Sequence, residues 1–194
     1  MRFRIALLLA ILLLPSFAQA DDKSMRFGLM PMYSRYEIND PIGPTRTGVD
    51  ISTLSGVAIF DAGRDSRIFV NAFYADFNLT ASTTNVGQTV KQTGVTASYQ
   101  MMFRLTRSIK PWLGIGLGYE SERYQNRYLT TPGGYLAPGS PYPERDVVNY
   151  PVVLNASHEW QYNRNFDVGL HLQFEQPISS DGARALRLGI YVVY

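Results

Sequence analysis

The sequence predicts an all-β fold: an eight-stranded antiparallel up-and-down transmembrane β-barrel, with short turns at one end and longer loops at the other. Three observations predict it. Apolar residues recur at every second position through long stretches, which is the period of a strand and not of a helix. The stretches run to about ten residues or more, whereas soluble strands average about 5–6 and membrane-crossing strands need about 9–11. The segments that join them alternate between short and long along the chain.

Strands are expected near 26–37, 48–62, 67–79, 94–105, 112–122, 147–161, 166–175 and 185–194. The first three read less cleanly. The two faces of 26–37 do not separate. In 48–62, Val49, Ile51, Val57 and Ile59 suggest one apolar face. In 67–79, Phe69, Phe73, Phe77 and Leu79 do the same, although Asn71 shares their side. The last five alternate clearly. Val95, Ala97, Tyr99, Met101, Phe103 and Leu105 interleave with Gly94, Thr96, Ser98, Gln100, Met102 and Arg104. Leu113, Ile115, Leu117 and Tyr119 interleave with Gly114, Gly116, Gly118 and Glu120. The same pattern runs through Val148 to Trp160, Phe166 to Phe174, and Leu186 to Tyr194.

Short connections are expected at 63–66, 106–109 and 163–165, and longer ones at 38–47, 80–89, 123–146 and 176–184. Short periplasmic turns and long outer loops are the habit of outer-membrane barrels, and an even strand count puts both ends of the chain on the inner side. The barrel is expected because backbone groups in lipid have no water to pair with, and only helices and closed barrels pair all of them internally. A soluble barrel would turn its apolar face inward around a ligand and would not need eight strands this long.

The first residues, Met1-Arg2-Phe3-Arg4, carry two positive charges. An apolar run from Ile5 to Leu14 follows, and then Ala18-Gln19-Ala20. Basic head, short apolar middle and a small-residue site together read as a cleaved signal peptide over 1–20, leaving one domain over 21–194. Lys plus Arg number 18 and Asp plus Glu 16; without Arg2 and Arg4 the two are equal. That leaves no basic excess to engage nucleic acid. The chain has no Cys, which excludes a disulfide framework and a thiolate nucleophile.

Eight strands enclose an interior that side chains can just fill. Alternation directs Gln100, Arg104, Glu120, Glu122, Asn155, His171, Gln173, Glu175 and Arg187 inward. Glu120, Glu122, His171, Gln173, Glu175 and Arg187 are therefore expected to form a polar network inside the barrel. Arg35 and Glu37 are expected to join it, since a charge facing lipid at depth is costly. Trp112, Trp160, Tyr162 and Tyr194 are expected as aromatics at the membrane interface. Loop 123–146 is long for a loop without a function. Its Arg123, Tyr124, Arg127, Tyr128, Tyr135, Tyr142 and Arg145 suit contact with glycans, host surfaces or lipopolysaccharide phosphates.

No catalytic, cofactor or metal motif rises above background. Ser157-His158-Glu159 has the residue types of a hydrolase triad, but neighbours on a strand point to opposite faces. Signal peptide, eight strands, alternating loops and a terminal aromatic resemble the small outer-membrane barrel class that includes the OmpX-like, OmpA-transmembrane-domain-like and OmpW-like families. No single family's motif is matched. The resemblance implies a location in the outer membrane among lipid and lipopolysaccharide. It also implies insertion by the barrel-assembly machinery through the last strand, ending at Tyr194. A monomer is expected. A structural or surface-interaction role is the leading expectation; a narrow channel for small or hydrophobic solutes and a lipid A-modifying enzyme are the alternatives.

Overall fold

The computed structural model describes residues 25–106, 108–162 and 166–194. The expected leader 1–20 and the expected turn 163–165 lie outside the described residues. The strands are β1 (Met25–Ile38), β2 (Arg46–Gly63), β3 (Ser66–Leu79), β4 (Gly87–Met102), β5 (Trp112–Tyr128), β6 (Arg145–Asn149), β7 (Pro151–Gln161), β8 (Asp167–Pro177) and β9 (Arg184–Val193). Each of β1 to β5 pairs antiparallel with the next, β7 pairs with β8 and β8 with β9, and β9 pairs back onto β1. The sheet is thus closed. β6 and β7 both lie along β5 and form one barrel strand interrupted at Tyr150. Pro151 explains the interruption: it has no N–H to give to a ladder, and it stands opposite a second proline, Pro177, where β8 ends.

Burial is inverted relative to a soluble barrel. Leu113, Ile115 and Leu117 of β5, Leu170 and Leu172 of β8, and Leu186, Leu188 and Ile190 of β9 all face outward. Arg67, Arg187, Glu120, Glu175 and His171 are wholly inaccessible inside. In water this arrangement would expose the apolar surface and pay to desolvate the charges. In a bilayer the outer band meets hydrocarbon, and the interior becomes the only place for the polar groups. Large interior side chains fit because small ones face them. A Cβ on Gly114 would come within 2.5 Å of Asn155 Oδ1, and one on Gly169 within 2.1 Å of the Tyr191 ring.

Two bulges change which side chains point in. In β2, Met32 pairs with Thr53 but Ser34 pairs with Asp50, so Ile51 and Ser52 both face out. The Asp50 carboxylate holds this bulge by accepting from the Ser52 backbone N–H at 2.8 Å and the Thr53 hydroxyl at 2.7 Å. Val49 and Ile51 are therefore outside while Val57 and Ile59 are inside; the single apolar face expected for this strand is split in two. In β5 the ladder to β4 shifts between Gly87 and Thr89. Asn126 there has φ 52°, a left-handed conformation that Asn tolerates better than most residues. This bulge turns Arg127 inward, against the simple alternation from Glu120, Glu122 and Tyr124.

Other positions also depart from expectation. The aromatic side of β3, which the sequence left unassigned between lipid and lumen, faces in, with Phe69, Phe73 and Phe77 buried beside Asn71 and Arg67. β4 starts at Gly87 and ends at Met102, so Arg104 lies beyond it. Arg104 is exposed and pairs with Asp65 at 2.7 Å instead of facing inward. The connection 103–111 is consequently longer than the turn expected at 106–109. It remains tied by Phe103 N–H to Pro111 O and Thr106 N–H to Ile109 O. Arg35 and Glu37 face outward; the inward side of β1 is Met30, Met32, Ser34, Tyr36 and Ile38.

Candidate functional site: the barrel interior and the loop end

The interior is organised around arginines at three levels. Arg187 on β9 occupies the middle level. Its guanidinium donates to both Glu175 oxygens at 2.9 Å, to Tyr36 Oη at 2.7 Å and to Gln92 Oε1 at 3.2 Å, and reaches Glu120 at 3.5 Å. It lies 3.8 Å over the Phe73 ring. Glu120 in turn accepts from Gln92 Nε2 at 3.1 Å, and Glu122 accepts from the Tyr124 hydroxyl and from the Ala183 backbone N–H. Gln173 donates to Glu175 at 2.6 Å and meets His171 at 3.1 Å. The His171 ring stacks on Phe69 at 4.5 Å. Glu120, His171, Gln173, Glu175 and Arg187 are thus linked through shared hydrogen bonds, while Glu122 bonds separately to Tyr124 and Ala183. Ser34 and Tyr36 of β1, Phe73 of β3 and Gln92, which lies before the stretch expected for β4, complete the surroundings of Arg187.

Arg67 on β3 forms a second centre nearer the end that holds both termini. It donates to Gln100 Oε1, to Glu159 Oε1 and to Ser157 Oγ, and its guanidinium lies 4.1 Å over the Trp112 ring. Glu159 also accepts from the Tyr191 hydroxyl at 2.7 Å and pairs with Arg26, which bridges to Asp167 at 2.9 Å and Asp61 at 3.3 Å. A cavity of about 380 Å³ at this end is lined by Arg26, Asp61, Gly63, Arg64, Trp112 and Asp167. Trp112, expected as an interface aromatic, is buried inside instead, because the even positions of β5 face inward. Trp160, Tyr162 and Tyr194 are exposed on the outer surface. Arg67 carried no warning in its local pattern: the Phe-rich side of β3 could have faced lipid or lumen.

The third level is at the loop end. Arg127, turned in by the Asn126 bulge, grips Asp40 with two bonds of 2.9 and 3.0 Å and donates to Gln88 Oε1 and Pro143 O. Arg145 donates to Asn39 O and Asp181 O, both at 2.9 Å, which joins three separate loops. Of the expected surface contacts, Tyr124 and Arg127 are therefore interior residues. Arg123 is outside, paired to Asp146 at 2.8 Å. Tyr128, Tyr142 and Arg145 are half-buried, and Tyr135 is the most open at 78%. The loop itself, 129–144, is tied by Thr131 N–H to Tyr135 O, Ala137 N–H to Leu129 O and Tyr142 N–H to Arg127 O.

The Ser157-His158-Glu159 run divides as strand geometry requires. Ser157 and Glu159 enter the Arg67 centre, while His158 faces out with its ring edge-on to Trp160 at 4.5 Å. Among the described residues no group of three or more His, Asp and Glu is arranged to hold a metal ion.

No family model and no curated protein matches the chain. Solved structures do. Neisserial surface protein A is similar over 88% of this chain and 96% of its own, with a TM-score of 0.56 at 14% identity. Ail, the attachment invasion locus protein of Yersinia pestis, is similar over 88% and 95%, with a TM-score of 0.52 at 12% identity. The outer membrane protein OprG from Pseudomonas aeruginosa is similar over 88% and 93%, with a TM-score of 0.51 at 10% identity. At such identities the likeness is one of fold. Joined to a closed barrel with an apolar exterior and an ionic interior, it makes this chain a small eight-stranded β-barrel protein of the outer membrane.

Proposed function

We propose that the protein is a filled barrel whose purpose is to hold its loop end at the cell surface, where loop 129–144 meets a partner. The observation that carries this reading is a contrast within one molecule. The interior is closed by the Arg187 centre, whereas loop 129–144 is internally hydrogen-bonded and still presents Tyr135 and Leu136 to solvent. Ordering a loop costs conformational entropy, and a loop ordered before binding pays less of that cost when a partner arrives. The reading takes the loop end as outward and the end with both termini as periplasmic, following the rule for such barrels. It also takes residues 1–20 as a cleaved leader, the strand ending at Tyr194 as the element read by the assembly machinery, and the barrel as a monomer. The similar barrel Ail has been crystallised with the heparin analogue sucrose octasulfate, which makes sulfated glycans a reasonable first probe.

The test is an epitope tag placed between Gly133 and Gly134, followed by antibody staining of intact cells and binding of whole cells to sulfated glycans and host-cell matrix. Surface staining with binding that falls on deletion of 130–142 is the expected result. Staining only after permeabilisation overturns the orientation, and undiminished binding overturns the role of the loop.

A second reading, a narrow path for small hydrophobic solutes, draws on one feature. The ladder between β5 and its partner is missing at Gly118-Tyr119 and Tyr150-Pro151, where the aromatic pair Tyr119–Tyr150 covers the seam at 5.7 Å. Solute uptake that is lost when cysteines at 119 and 150 are oxidised to a disulfide would favour this reading.

A further inference from the structure

Arg35 was expected inside the barrel and is outside it. Its place there is unusual in a way that its neighbours define. It is exposed on β1, opposite Val49 of β2 and Leu186 of β9, with Tyr33 below it on the same face. The bulge in β2 adds Ile51, the most exposed apolar residue of the barrel wall at 81%, to the same patch. Among the described residues no carboxylate, hydrogen-bond acceptor or ring engages Arg35. The nearest carboxylate in sequence, Glu37, faces Arg184 at 3.7 Å instead. Arg35 is thus a cation without a protein partner, surrounded by apolar side chains on a surface that faces lipid.

Its height resolves the difficulty. From Met25 to Arg35 the strand advances about 33 Å at about 3.3–3.4 Å per residue, or about 25 Å along the membrane normal at a tilt of about 35–45°. The outward apolar band of such barrels is about 25 Å tall. Counted with Met25 at the inner edge of that band, Arg35 stands where hydrocarbon gives way to headgroups, and the missing partner is an anion supplied by the membrane. The guanidinium is the side chain best matched to phosphate, because it presents paired donors in a plane. The apolar shelf below it, Tyr33, Ile51 and Leu186, is placed to carry an acyl chain.

We propose that Arg35, with this shelf, is a binding site for a phosphorylated lipid of the leaflet at the loop end, its phosphate on the guanidinium and its acyl chain on the shelf. With the loop end outward this lipid is the lipid A part of lipopolysaccharide; the assignment of leaflet rests on the orientation given above. Glu37 and Arg184 lie one step further out as a closed pair, which leaves Arg35 as the free donor.

The test is native mass spectrometry of the detergent-purified protein with bis-phosphorylated lipid A, lipid A stripped of both phosphates, and inorganic phosphate as competitor. Wild type is expected to retain the phosphorylated lipid about tenfold better than the stripped one, the scale of one charge-assisted contact. Arg35→Gln is expected to remove that difference. Arg64→Gln, at the opposite end of the barrel, is expected to preserve it. Folding of each variant is read from the faster migration of its unheated band. Should Arg35→Gln fail that check, Arg35→Lys keeps the charge without the paired donors and is expected to lose part of the retention. Equal retention by wild type and either Arg35 variant overturns the proposal, as does equal retention of the two lipids. Displacement by millimolar inorganic phosphate overturns the choice of a lipid over a free anion. The measurement is made in detergent and is indifferent to which end faces outward, so its failure is separable from failure of the surface-staining test.

Discussion

The two arginine centres inside the barrel use the same chemistry in different surroundings. Around Arg187 every partner is sealed: Glu175, Glu120, Tyr36 and Gln92 are all inaccessible, and two carboxylates converge on one guanidinium. Around Arg67 the partners open toward a mouth. Glu159 retains 14% of its surface, Arg26 likewise, and the cavity beneath Trp112 brings solvent close. An ion pair's worth depends on what replaces it when it breaks. At Arg67 water can enter and solvate the abandoned carboxylate, and at Arg187 it cannot. The same residue type therefore holds the barrel together at one level and lines an entrance at the other.

The largest expected effect sharpens this difference. Arg187→Leu strands Glu175 and Glu120 in a dry interior, and removing one member of a buried pair costs about 3–5 kcal/mol. The loss is read as a lower urea midpoint for the barrel refolded in lipid vesicles. An unchanged midpoint would mean that Arg187 does not anchor the network. Next in size is a charge placed on the other face of the wall. Ile115→Arg, on the outward side of β5, is expected to cost about 2–4 kcal/mol near the middle of the bilayer and much less if the outer surface faces water. An equal midpoint for Ile115→Arg in vesicles would contradict the membrane reading. Arg67→Leu should cost less than Arg187→Leu, about 2–3 kcal/mol, as a charge-assisted network is lost at a hydrated mouth. A cost equal to that at Arg187 would show that the mouth is as dry as the middle. The smallest effect on stability belongs to Tyr135→Ala, within about 0.5 kcal/mol for an exposed side chain. Binding of whole cells through the loop should nevertheless fall. Stability and binding that moved together would join the loop to the barrel's folding core.

How much of this was legible depended on the strand. In β8 and β9 the alternation is unbroken, so Glu175 and Arg187 could be placed inside and together from the sequence. In β1 to β3 the interior is aromatic and aliphatic as well as polar. Phe69, Phe73, Met30 and Met32 face a lumen, not lipid, and hydrophobicity alone does not separate those two environments. The bulges at Ile51-Ser52 and Asn126 added a second difficulty. Each shifts the parity of all residues beyond it, which is why Val57 and Ile59 were grouped with Val49; Arg127 was placed on the surface because the strand was ended at 122, six residues short of its end at Tyr128. Arg35 was misplaced for a related reason. The rule that a charge avoids lipid is sound, but it has two solutions, the interior and the headgroup level, and alternation in a strand without clear faces does not choose between them.

The sequence by itself determined the class of fold, the number of barrel strands and the inward placing of Glu120, Glu175 and Arg187, because a period of two over spans of this length leaves a closed transmembrane sheet as its simplest physical solution. Only the tertiary structure decided which way the first three strands face, which arginines are interior, and that three loops are clasped over the barrel by Arg127 and Arg145. Those outcomes depend on register, bulges and the meeting of residues more than eighty positions apart, as with Arg127 and Asp40. No local pattern records them, since each is fixed by what the opposite wall of the barrel offers.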